Sequence, residues 1–233
     1  MNGQGKWRWI APSALVVALA LSGSSLAAPV GSGSDFPTAT ANAGPEGMVA
    51  GPDGNLWFAE FDANKIGEIN PTSGAISEFT VPTAGSGPLG VALGPDGNIW
   101  FTEWAASKIG EINPVTHAIS DFPTPTPSSF PVALVAGSDG NIWFTESGGL
   151  GHIGDINPAT HATSDIAAPT ASSLPFGIAA GPDGEIWFTE KSAGKIGYLN
   201  LVTHTAADFP TTTGSSMPNA IADGPDGSLW VTE

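Results

Sequence analysis

The sequence contains no cysteine. Disulfides, CxxC redox pairs and Cys-ligated metal centres are therefore excluded, and the fold must be held by its own core. Basic residues are scarce as well: six Lys and Arg stand against 22 Asp and Glu, giving a net charge of −16. Nucleic acid and anionic membrane surfaces need clustered positive charge, so neither is expected as a partner. The apolar run at residues 10–21 is shorter than the ~20 residues a spanning helix needs. The sequence also lacks GxSxG, a phosphate-binding glycine loop and HExxH. Asn70, Asn113 and Asn157 each precede Pro, so none is a glycosylation sequon.

Residues 1–27 read as a signal peptide. Lys6 and Arg8 form a basic start, residues 10–21 the apolar core, and Ser25-Leu26-Ala27 a cleavage site. This predicts a secreted or cell-envelope protein with no membrane span after cleavage. Residues 28–34 are a short linker and residues 35–233 form one repetitive domain.

A decapeptide recurs five times in that domain. GPDGNLWFAE at 51–60 returns at 94–103, 137–146, 181–190 and 224–233, and its tryptophans (57, 100, 143, 187, 230) are 43 or 44 residues apart. A repeat of this length overrides any element-by-element reading. Within it, Asp-Gly tolerates the positive backbone angles of a tight hairpin, and the aromatic run that follows suits a strand packed on both faces. The first copy yields four strands: 47–50, 56–60, 65–69 and 75–79. Proline at 71, 114 and 158 ends the third strand, because it cannot extend a hydrogen-bonded ladder. Four short strands every ~43 residues predict an all-β fold, a β-propeller of four-stranded blades with about five blades present. Trp57 and Phe58 then face opposite sides, both buried between neighbouring blades.

The strand count is uneven at its ends. Asp35-Phe36-Pro37 matches the end of a fourth strand, and residues 219–233 supply only a first and second strand. The 35–37 segment is expected to pair with the blade begun at Asn219, leaving it short of a strand. The chain reads as cut short, with an open edge that invites self-association.

The repeated GPDGN-[LI]-WF-[AT]-E, followed by KIGEINP at 65–71 and 108–114, resembles the streptogramin B lyases, the virginiamycin B lyase family. The resemblance implies a seven-bladed propeller and a magnesium-dependent elimination that opens the ester of a cyclic depsipeptide antibiotic. It further implies a catalytic His in a Pro-His-Gly stretch opening the first strand of a blade, working with the Glu that ends the WF-x-E strand. Here the His position holds Glu46, Leu89, Val132, Phe176 and Asn219. The Glu is present in all five copies, as Glu60, Glu103, Glu146, Glu190 and Glu233.

Two roles are open for these glutamates. Glu60, Glu103 and Glu190 are followed five residues later by Lys65, Lys108 and Lys195, a spacing that sets acid against ammonium on adjacent strands. Alternatively, the five acids form a ring that holds a divalent ion such as Mg²⁺ through oxygen ligands. The third copy differs: its connection is one residue longer and His152 takes the lysine position opposite Glu146, making Glu146 and His152 a candidate acid–base pair. His117, His161 and His204 fall in the turn between third and fourth strands and read as turn residues far from the second strand. Asp53 and its counterparts are explained by turn geometry. Three functions remain open: a secreted lyase-like enzyme, a propeller binding a small molecule or extracellular partner, and a remnant with neither role.

Overall fold

A computed structural model describes residues 14–16, 34–214 and 216–233. The 1–27 segment lies outside the described residues apart from β1 (Ala14–Val16), a short strand antiparallel to β2 (Asp35–Pro37).

The repeat folds as four complete four-stranded antiparallel blades and a two-stranded fifth. The first blade is β3 (Pro45–Ala50), β4 (Leu56–Glu60), β5 (Lys65–Ile69) and β6 (Ile76–Thr80). The second is β7 (Pro88–Leu93), β8 (Ile99–Glu103), β9 (Lys108–Ile112) and β10 (Ile119–Pro123). The third is β11 (Pro131–Ala136), β12 (Ile142–Glu146), β13 (His152–Ile156) and β14 (Thr163–Ala167). The fourth is β15 (Pro175–Ala180), β16 (Ile186–Glu190), β17 (Lys195–Asn200) and β18 (Thr205–Pro210), and β19 (Ile221–Asp223) pairs with β20 (Leu229–Val231). This is the expected β-propeller architecture. First strands begin two residues earlier than the sequence suggests, because proline is tolerated as a strand's first residue.

Local chemistry explains each hairpin. Gly54 adopts φ +83°, open to glycine without steric cost, while Asp53 Oδ1 accepts bonds from the Asn55 amide and Trp57 Nε1, both at 3.2 Å. The aspartate of the turn thus also fixes the buried indole. At the far end of β5, Asn70 Oδ1 accepts from the amides of Thr72 and Ser73, and Pro71 carries the chain out of the ladder.

The core lies between blades. Trp57 packs on Ile99, Phe101 and Ile112 of the second blade, Trp100 on Ile142, Phe144 and Ile156 of the third, and Trp143 on Ile186, Phe188 and Leu199 of the fourth. Inside each blade a glycine opposite the phenylalanine makes room for its ring: a Cβ on Gly110 would stand 2.2 Å from Phe101 Cζ. The series fades towards β20, where Trp230 is 65% exposed and no further strand among the described residues covers it.

One strand is not where the sequence placed it. Asp35–Pro37 pairs with Ala14–Val16 rather than with the blade begun at Asn219. Phe36 packs instead against Phe58 and Ile69, the flank of the first blade that no complete blade covers.

Candidate functional site

The glutamates that end the second strand of each blade are positioned by register. Glu60 stands opposite Pro45 on one side and Lys65 on the other, at the end of the blade away from the Asp-Gly turn. The same frame holds Glu103, Glu146 and Glu190. All four are fully buried, and both carboxylate oxygens of Glu60, Glu103 and Glu146 lack a hydrogen-bond partner. Glu190 is better served, with Oε1 accepting from Ser173 Oγ at 2.8 Å and the Thr170 amide at 3.2 Å, but its Oε2 is unpartnered.

Burial pushes these acids up. Glu60 rises to about 7, through desolvation and then the charge of Glu78, with Lys65 opposing. Glu103 and Glu146 rise to about 7 through desolvation, against the opposing influence of Ser86 and Ser129. Glu190 also rises.

The expected Glu–Lys pairs do not form. Strand register sets the backbones opposite one another, but each ammonium turns outward to the acid of the fourth strand. Lys65 Nζ lies 2.7 Å from Glu78, Lys108 Nζ 2.7 Å from Asp121, and Lys195 Nζ 3.1 Å from Asp208. A threonine from the linker before each blade completes the arrangement: Thr40, Thr83 and Thr170 each donate to the acid and accept from the lysine. Against the upward push of burial, Lys65 and the two bonds from Thr40 hold Glu78 down at about 2. These acids and threonines were missed in the sequence; the signal was Pro-Thr recurring at 82–83, 125–126 and 169–170 with an acid 38 or 39 residues on.

Nor do the five glutamates form a ring around one ion. Among the described residues, the only group of three or more acid and histidine side chains whose ligand atoms lie within 4.8 Å of one another is Glu146, His152 and Asp165. Glu60, Glu103 and Glu190 are each buried in a separate blade, and Glu233 is exposed beyond β20. A shared Mg²⁺ therefore does not fit this set of residues. Glu146 and His152 do come together, opposite each other in register, with Asp165 as a third member that the sequence did not reveal.

His117 and His161 are turn residues with φ +58° and +57°, as expected, but they are not isolated. Each reaches the preceding blade, where His117 stacks on Phe79 at 4.3 Å and lies 6.2 Å from the second-strand Trp57. His161 stacks on Phe122 at 4.1 Å. His204 meets Trp143 edge-on at 6.3 Å. They serve as packing between blades at the Asp-Gly end.

At the other end, register sets the strand-opening proline of each complete blade opposite its buried glutamate: Pro45 opposite Glu60, Pro88 opposite Glu103, Pro131 opposite Glu146 and Pro175 opposite Glu190. The residue after the next proline is tied to the preceding blade in three cases: Thr102 Oγ1 donates to the Val132 carbonyl at 3.0 Å, Thr145 Oγ1 to the Phe176 carbonyl at 2.7 Å and Thr189 Oγ1 to the Asn219 carbonyl at 3.2 Å. The frame is rigid and repeated.

Known proteins share this frame over nearly the whole chain. A Staphylococcus aureus virginiamycin B lyase superposes with a TM-score of 0.82 at 35% identity, over 88% of this chain and 69% of that one. The chain belongs to the virginiamycin B lyase family. A catalytically inactive histidine-to-alanine variant of the S. aureus enzyme, with quinupristin, matches at TM-score 0.82 and 34% identity, over 88% of this chain and 68% of that one. A streptogramin B lyase structure matches at 0.81 and 35%, over 86% and 66% respectively. The virginiamycin B lyase family model matches residues 151–233. No curated protein matches the chain.

Proposed function

We propose that this virginiamycin B lyase family propeller is an exported binding protein that does not itself open streptogramin B antibiotics. The observation that carries the reading is the set of residues that follow the prolines at 45, 88, 131, 175 and 218. Glu46, Leu89, Val132, Phe176 and Asn219 stand where the family pattern calls for a histidine. Asn219 is further committed to Lys191, whose Nζ donates to its Oδ1 at 2.8 Å. Eliminating an ester oxygen requires a base at the proton being removed, and none of these five side chains except Glu46 is one. Glu46 lies at the start of the first blade with its side chain open to solvent, and partial desolvation by its neighbours, followed by the charge of Asp62, raises its pKa. Glu60 and Glu103, buried, unpartnered and raised to about 7, act as neutral core groups at mildly acidic pH. What remains is the scaffold, with loops at both blade ends suited to hold a small molecule or an envelope partner. Export rests on the basic and apolar pattern of residues 1–27. Incubating the purified protein with a streptogramin B antibiotic and Mg²⁺ tests the reading, which turnover would overturn.

A further inference from the structure

We propose that Glu146, His152 and Asp165 of the third blade bind one zinc-type divalent metal ion. The argument starts from the other three complete blades. In each, a lysine ammonium fills the space between a linker threonine and a fourth-strand acid: Lys65 between Thr40 and Glu78, Lys108 between Thr83 and Asp121, Lys195 between Thr170 and Asp208. The third blade keeps the threonine and the acid, with Thr126 Oγ1 donating to Asp165 Oδ2 at 2.5 Å, and keeps the buried glutamate. Only the cation is replaced. His152 occupies the lysine register opposite Glu146.

A neutral imidazole brings a nitrogen lone pair where the other blades bring a positive charge. The third blade thus holds two carboxyl groups and an imidazole with one ligand atom from each within 4.8 Å of the others, and no ammonium. Glu146 is fully buried with neither oxygen hydrogen-bonded, and His152 Nδ1 is buried and unpartnered too. Glu60 and Glu103 share the orphaned carboxylate, but only the third blade sets a second orphaned ligand atom, His152 Nδ1, beside it; buried polar atoms of native proteins are nearly always satisfied, so this pair calls for a missing partner. A divalent cation supplies the charge that the lysine supplies elsewhere and accepts all three lone pairs.

The donor set selects the metal. One imidazole nitrogen with two carboxylate oxygens suits zinc, cobalt or manganese, whereas Mg²⁺ and Ca²⁺ prefer all-oxygen shells. Three protein ligands also leave a coordination position free for water or a ligand. This site is independent of the absent lyase base, since it depends on no residue at the family's histidine position.

The test is metal binding by the whole purified chain after treatment with a chelator, followed by titration with Co²⁺ and Zn²⁺. Visible absorption reports cobalt, calorimetry reports stoichiometry, and Tm reports coupling to the fold. One Co²⁺ or Zn²⁺ per chain is expected, with a rise in Tm on binding. His152→Lys restores the arrangement of the other blades, so it should fold with a metal-free Tm at or above that of the wild type. Loss of one of three ligands should weaken its metal affinity by more than about 100-fold, several kcal/mol on the affinity scale. Asp165→Asn supplies the same comparison should His152→Lys fail to fold. Absence of Co²⁺ and Zn²⁺ binding by the wild type at millimolar concentration would overturn the proposal. So would binding undiminished in His152→Lys or Asp165→Asn, which would place the ion on the surface histidines instead.

Discussion

Lys108 Nζ lies 2.7 Å from Asp121 Oδ1, although the residue directly opposite Lys108 on the neighbouring second strand is Glu103. The ammonium chooses the acid nearer solvent and leaves the fully buried one alone. A charged pair at the inner position carries a larger desolvation cost than one at the half-exposed rim. A double-mutant cycle distinguishes the two partners. Lys108→Met and Asp121→Asn should couple by about 0.5–1 kcal/mol in denaturant unfolding, as expected for a partly exposed pair. Lys108→Met and Glu103→Gln should couple more weakly, and a reversed order would restore the pairing suggested by sequence spacing.

The buried glutamates set the sign of the pH dependence. Glu60 and Glu103 titrate near 7 in the folded chain and near 4.5 when unfolded, so the folded state binds more protons between those values. Stability should therefore fall as pH rises from about 4.5 to 7 and level off above. Glu78 works on the other side. Held at about 2, it contributes stability above 4.5 that is lost as pH falls towards 2. Thermal unfolding across pH should show a maximum at mildly acidic pH. Glu103→Gln, a neutral isostere, should flatten the decline and raise stability at pH 8 by about 1–3 kcal/mol. A wild-type Tm that climbs steadily from pH 5 to 8 would refute this assignment.

Gly110 marks the tightest place inside the second blade. A methyl group there would stand 2.2 Å from Phe101 Cζ, and Phe101 is fully buried. Gly110→Ala should destabilise by about 1–3 kcal/mol through overpacking. Adding Phe101→Leu should recover part of the loss, a non-additivity measurable by chemical denaturation.

The Asp-Gly turns carry more than a turn. Asp96 Oδ1 accepts from the Asn98 amide at 3.2 Å and from Trp100 Nε1 at 3.1 Å. Asp96→Ala removes both bonds and leaves a largely buried indole N–H without its partner. A loss of about 1–3 kcal/mol is expected, against a smaller loss for the equivalent Asp226→Ala, where Trp230 is exposed.

Much of this was legible in the sequence, because period, turn chemistry and alternation act locally. The Asp-Gly turns, the four strands, the prolines after β5, β9 and β13, and the burial of Trp57 and Phe58 follow from neighbours within a few residues. The pairing of Lys65 with Glu78 did not. Spacing fixes which backbones face each other, whereas a lysine side chain chooses among acids on two strands and a linker according to solvation. Asp165 was hidden for the same reason: its place beside Glu146 and His152 requires three strands side by side. The route of Asp35–Pro37 was misread because three residues carry too little pattern to specify a partner strand.

The most direct test of the proposed lack of elimination activity is a time course of a streptogramin B antibiotic with the purified protein and Mg²⁺, followed by liquid chromatography with fragment-ion mass spectrometry. Elimination opens the ring without changing the mass, so retention time and fragment ions report it. The expected result is intact cyclic antibiotic at the rate of a heat-inactivated control. Accumulation of the linear isomer well above that control would contradict the account and would direct mutagenesis first to Glu146 and His152.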